Sequence, residues 1–269
     1  MRSYDFWEER EERTPQEDAA IGSLEAARTR ILTTIPREEL IAIYAKGSLV
    51  RRELNERSDV DTLTIVKHSR WLRSLMKLHR TQRSHPPVCF SGYSLWELER
   101  NKRSKAGKPD RGSPARTIAH LKHYELIYGT PLDPDAFGHG TDERTQLASM
   151  IRVFRSEFLP AYAQKRFAFT DLVKQTFWLA EGELRVQGIE PAYHWGRLTQ
   201  RFPKNHLIHD ALELRTHPTK DRTRRAAYVR KLEAYLSSLE KSLRTHRAPT
   251  HDRAYDNQER GSSRPRCIR

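Results

Sequence analysis

Cysteine is all but missing from this chain: Cys89 and Cys267 are the two among 269 residues. One falls inside an apolar run and the other near the end, so neither a disulfide framework nor a cysteine-based zinc site is expected. A reducing, cytoplasmic setting is expected. Long apolar runs are missing too. No stretch approaches the roughly 18 consecutive apolar residues of a membrane span, and the opening MRSYDFWEEREERTPQEDAAIG has no apolar signal-peptide core. The protein is expected to be neither exported nor membrane-spanning.

Acidic residues are outnumbered, 35 against 49 Lys and Arg, which leaves a net charge of +14. Such a balance favours polyanionic partners, because phosphates held by Lys and Arg release counterions. Much of the excess sits in residues 100–116 and beyond 243, segments that read as loop or disorder. Solvated basic loops and a nucleic-acid surface both remain open. A steep salt dependence of nucleic-acid affinity would mark the second.

What is present is an alternation of helical and extended patterns. Ile21, Leu24, Ala27, Ile31 and Ile35 recur at helical spacing, and Pro36 ends that helix. IAIYA (41–45), VDTLTIV (60–66) and VCFSGYS (88–94) read as strands, with helical SLVRRELNE, RWLRSLMKLHR and LWELER after them in turn. RTIAHLKHYELIYG reads as a helix closed by Gly129 as its C-cap. Four longer helical patterns follow. The expectation is an α+β chain: a small mixed-sheet domain over 1–128, a helical bundle over 129–246 and a disordered basic tail over 247–269.

The chemistry concentrates in residues 41–67. Asp59 and Asp61 stand two apart at the head of a strand and so face one side. Two carboxylates there repel unless a cation joins them, and they suit Mg²⁺ or Mn²⁺ shared with substrate phosphates. Gly47 and Ser48 follow the preceding strand. The missing Cβ lets a phosphate approach backbone N–H groups, and the hydroxyl adds a donor. Phosphates on one side and metal on the other suit in-line attack on a nucleoside triphosphate.

The run GSLVRRELNERSDVDTLTIV resembles the signature of the nucleotidyltransferase superfamily related to DNA polymerase beta, in particular its minimal and antibiotic nucleotidyltransferases. The likeness spans about residues 20–100. It implies that Gly47 and Ser48 bind the triphosphate and that Asp59 and Asp61 bind divalent metal. The implied reaction moves a nucleoside monophosphate, AMP by preference, to an acceptor hydroxyl, with a small molecule favoured as acceptor over nucleic acid. The alternative is a nucleotide-binding regulatory module without chemistry.

Active members of that family carry a third carboxylate, and the strand expected to supply it holds Cys89, Phe90 and Ser91 instead. Glu97 and Glu99 follow on a helix and are expected to face solvent. Some antibiotic-modifying relatives draw a base from the helical domain. The candidate here is LVKQTFWLAEGELR, where Lys174, Trp178 and Glu181 share a face. Lys174 would reach a phosphate and Glu181 would act as base; an ordinary surface pair beside a core Trp fits the same spacing. His120, His123, His206 and His209 lack the partners that zinc requires. Tyr193 and Trp195 could stack on a base or sugar, but a bundle needs aromatic packing, and packing is the expectation.

Overall fold

The computed structural model describes residues 2–56, 58–107, 112–138 and 142–245. The tail expected to be disordered, 247–269, and positions 108–111 of the basic loop lie outside the described residues. The chain divides into two compact units. One comprises residues 1–142 together with 191–201, the other 143–190 and 202 onward.

The first unit is built on a mixed sheet of β1 (Arg2–Ser3), β2 (Leu40–Lys46), β3 (Val60–Val66), β4 (Val88–Ser94) and β5 (Glu125–Gly129), in the order β1-β5-β2-β3-β4. β2 runs antiparallel to both β3 and β5, whereas β3 and β4 are parallel. A parallel pair needs a crossover, here α3 (Leu72–Thr81) with Leu72, Leu75 and Leu78 turned inward. Both faces of the sheet are covered, which is why β2 reads as an unbroken apolar run. Ile43 and Ala45 pack with Leu24, Ile31 and Val66 on one side. Ala42 and Tyr44 pack with Leu63, Ile65, Tyr93 and Ile118 on the other.

The first side is closed by α1 (Pro15–Thr34), which begins in a capping box. Thr14 accepts from the Glu17 N–H at 3.2 Å and the Glu17 carboxylate accepts from the Thr14 N–H at 3.0 Å. The other side is closed by α4 (Leu95–Arg100) and α5 (Pro114–His120). Glu97 does not face solvent as expected. It is fully buried, its carboxylate accepting from the Ser94 N–H at 2.8 Å in a second capping box, and only Glu99 is exposed.

Two local expectations are corrected. The helix expected to end at Gly129 stops at His120, and residues 125–129 form β5. Gly129 is required there, because its φ is +98° and a Cβ would lie 2.1 Å from the Ile41 carbonyl oxygen of β2. The pattern SLVRRELNE yields only one helical turn, α2 (Ser48–Arg51), ended by Arg52 in the left-handed region at φ 57°.

In the second unit, α8 (Phe169–Val186) packs on α6 (Glu143–Val153) and α10 (Leu207–Thr216), and α11 (Arg222–Thr245) lies against all three. Leu172, Val173, Phe177, Ala180 and Leu184 form the buried stripe of α8, and Tyr228, Leu232, Leu236 and Leu239 that of α11. A buried hydrogen bond of 2.8 Å joins Thr176 to Tyr228. Before α7 (Leu159–Ala163) the helix widens to a π turn over Phe154–Phe158. Pro160 lies at the start of α7 and has no N–H to continue the ladder.

Candidate functional site

Asp61 occupies the second position of β3, where it is paired across the antiparallel ladder with Lys46 and across the parallel one with Cys89. Residues paired in this way project from the same face of a sheet. Three side chains from three strands therefore form one row, Lys46, Asp61, Cys89. Asp59, just before the strand, joins it. One ligand atom each from Asp59, Asp61 and Cys89 can be drawn so that all lie within 4.8 Å of one another. Among the described residues no other group of His, Cys, Asp and Glu meets this condition.

Register here is held by side chains as well as by the ladder. The Thr62 hydroxyl donates to the Cys89 carbonyl at 3.2 Å, and the Ser91 hydroxyl donates to the Thr62 carbonyl. Lys46 places its ammonium 3.3 Å from Asp61 Oδ1. Burial is the largest single influence and works to lower the Lys46 pKa, but Asp61, with smaller contributions from Tyr124, Cys89 and Tyr193, reverses it and the pKa rises, so Lys46 is a fixed cation at neutral pH.

The turn after β2 is shaped around Asp61. Gly47 has φ +78°, and a Cβ there would lie 2.5 Å from Asp61 Oδ2. The absent side chain keeps open the space in front of the carboxylate. Ser48 is 7% exposed and opens α2. A single turn of helix has little macrodipole, so any anion binding at this turn depends on its individual N–H groups rather than on the helix.

The segment 191–201, with α9 (Trp195–Thr199), is flanked in sequence by the helical unit yet packs in the first. The Gly47 N–H donates to the Tyr193 hydroxyl at 3.0 Å. The Tyr193 ring stacks on His123, with centroids 4.9 Å apart and planes 7° from parallel. Arg51 lies over both Tyr193 and Trp195, at 5.0 and 4.3 Å, and pairs with Glu53 at 2.7 Å. Glu53 in turn accepts from the backbone N–H of Trp195 at 2.7 Å. Burial pushes the Tyr193 phenol pKa up, which keeps its proton in place.

A second clamp holds α2 from behind. Glu17 Oε1 accepts from Arg10 at 3.2 Å and from Arg52 at 3.0 Å, while Arg10 also donates to the Leu49 carbonyl at 3.1 Å. Burial of Glu17 alone would raise its pKa, but the Thr14 N–H and the Arg52 guanidinium reverse this and hold it below its ordinary value.

Of the six residues singled out in the sequence, Gly47, Ser48, Asp59 and Asp61 come together in the first unit. Lys174 and Glu181 lie on α8 in the second, two helical turns apart, with Lys174 half-buried and Glu181 buried. Glu183 faces elsewhere, bonded by the Tyr235 hydroxyl and 3.5 Å from His206 Nε2. Several histidines are structural: His194 and His206 cap α9 and α10. Sequence reasoning passed over Lys46, whose signal was its place at the end of β2 directly before Gly47. Arg51 and Glu53 gave no signal.

No family model matches the chain, and no curated protein matches it. Among solved structures the fold is similar to that of spectinomycin adenyltransferase AAD(9) from Enterococcus faecialis, in a crystal structure with ATP and spectinomycin. The TM-score is 0.50 at 13% identity, covering 82% of this chain and 98% of that one. Likeness at this identity is one of fold. No helix among the described residues is long and apolar enough to cross a membrane.

Proposed function

We propose that this protein is a nucleotidyltransferase that moves a nucleoside monophosphate, AMP by preference, from a triphosphate to the hydroxyl of a small-molecule acceptor. The observation that carries this is the convergence of Asp59 and Asp61 beside the open Gly47 turn. It is supported by a fold similar to that of an adenyltransferase whose structure holds ATP and spectinomycin.

The donor set fits a divalent cation, since two carboxylates converge and Gly47 sets no side chain against Asp61 Oδ2. Asp59 and Asp61 would hold Mg²⁺ or Mn²⁺, whose contribution there is to neutralise charge on the phosphates. Gly47 and Ser48 bind triphosphate oxygens, and Lys174 adds a cation to them. The acceptor oxygen attacks the α-phosphorus in line, the bond to the β-phosphate breaks and pyrophosphate leaves. Glu181 takes the hydroxyl proton.

The deciding experiment is incubation with Mg²⁺, each labelled triphosphate and a pool of small hydroxylated acceptors, following pyrophosphate. Release that is lost in Asp59→Asn and Asp61→Asn supports transfer. A second function is favoured by Cys89, which stands opposite Asp61 on the strand where a third carboxylate is expected. It is nucleotide binding without transfer, and triphosphate binding with no pyrophosphate release under any condition would establish it.

A further inference from the structure

Cys89 lies opposite Asp61 in the parallel ladder, with its sulfur counted among the three donors that gather within 4.8 Å. Its strand is held in register by Thr62 and Ser91, so the placement is built into the sheet rather than into a mobile loop. Metal–oxygen bonds of about 2.0 to 2.2 Å and metal–sulfur bonds of about 2.3 Å put donors on one tetrahedral ion roughly 3.5 Å apart, so the three donors, within 4.8 Å of one another, draw closer when they share a cation. The opposite flank of Asp61 is taken by Lys46, and the space in front of it is kept open by Gly47, where a Cβ would come within 2.5 Å of Oδ2. An ion reaching Asp61 Oδ2 from that opening meets Asp59 and Cys89 as its other protein donors.

We propose that Cys89 is the third protein ligand of the cation held by Asp59 and Asp61, and that its sulfur turns the centre toward a borderline ion such as Co²⁺ or Zn²⁺ and away from Mg²⁺. The inference rests on the metal site proposed above and changes which ion it takes. Mg²⁺ keeps oxygen ligands and water, and gains nothing from sulfur. Thiolate ligands raise affinity for the later transition ions, and they bond Zn²⁺ and Co²⁺ directly. A carboxylate at position 89 would draw this distinction less sharply.

The test is titration of the whole chain with Co²⁺ alone, followed by absorption and by calorimetry, with Mg²⁺ in parallel. Sulfur bound to Co²⁺ gives a charge-transfer band in the near ultraviolet, a signature that carboxylates do not produce. The band should saturate at one equivalent in the parent and in Cys267→Ser, which removes the other cysteine. It should vanish in Cys89→Ser, whose Co²⁺ affinity should fall about tenfold or more, since loss of even an indirect metal contact costs that much. Mg²⁺ affinity should stay unchanged in the same variant, and circular dichroism checks that it folds. Co²⁺ binding that depends on Asp59 and Asp61 but shows no band overturns the role of Cys89 and leaves the carboxylate site standing. A band that survives Cys89→Ser overturns it as well. Undiminished Co²⁺ and Mg²⁺ binding by the Asp59→Asn, Asp61→Asn double variant overturns the site itself.

Discussion

The backbone N–H of Gly47 donates to the hydroxyl of Tyr193 at 3.0 Å, across 146 positions of sequence. If that N–H serves a phosphate, the phenol must leave first. Tyr193→Phe removes the competing acceptor and leaves the N–H unmet until the nucleotide arrives. Triphosphate affinity should then rise by about 0.5 to 1.5 kcal/mol, the net worth of one hydrogen bond. Calorimetric titration measures it. Weaker binding would show instead that the phenol itself touches the nucleotide.

Asp61 has a partner within the protein, the Lys46 ammonium at 3.3 Å. Removing the carboxylate therefore strands a largely buried cation. Asp61→Ala should lose about 1 to 3 kcal/mol of stability in denaturant melts, the cost of leaving a buried polar group unmet. The double change with Lys46→Met should recover most of this loss. Equal stability of Asp61→Ala and the parent would show that the ion pair contributes nothing.

Gly47→Val meets two obstacles at once: φ of +78° and a Cβ 2.5 Å from Asp61 Oδ2. Both stability and triphosphate affinity should fall. The left-handed backbone alone costs a β-branched residue about 1 to 3 kcal/mol. Thermal melts with and without nucleotide check this, and an unshifted melting temperature would contradict the backbone geometry.

Glu17 joins the start of α1 to Arg10 and Arg52, and its folded pKa lies below the ordinary 4.5. A carboxyl with a depressed folded pKa stabilises above its unfolded pKa and loses that contribution as pH falls through the folded one. Stability of the parent should therefore decline from about pH 4.5 downward. In Glu17→Gln that part of the acid limb should flatten, with lower stability at pH 7. Denaturant melts between pH 3 and 7 provide the comparison, and parallel acid limbs would remove Glu17 from the account.

On α8 the two acids should separate by effect. Glu181→Gln is expected to lower turnover with nucleotide affinity kept, by about 10² to 10⁴, the range for a lost general base. Glu183→Gln should leave turnover unchanged but lower stability, because Glu183 bonds Tyr235 and faces His206. Full activity in Glu181→Gln would return the search for a base to the first unit.

What the sequence by itself determined is local. The Gly-Ser turn, the Asp-x-Asp pair at the head of β3 and the helical stripe of α8 are set by spacing along one element, where a period of 2 or 3.6 decides which residues share a face. The capping box of α1 belongs with them, since Thr14 and Glu17 are three positions apart.

Tertiary structure decided whatever depends on neighbours across strands. Residues 125–129 have too few residues to show a period, and it is pairing with β2 that makes them a strand and demands glycine at 129. Lys46 and Cys89 flank Asp61 only through the antiparallel and parallel ladders, whose register depends on how the whole sheet packs. Tyr193 meets Gly47 because 191–201 folds with the sheet and not with the helices on either side of it in sequence. Charge and donor type can be read one residue at a time, but which donors face one cation is a property of the sheet.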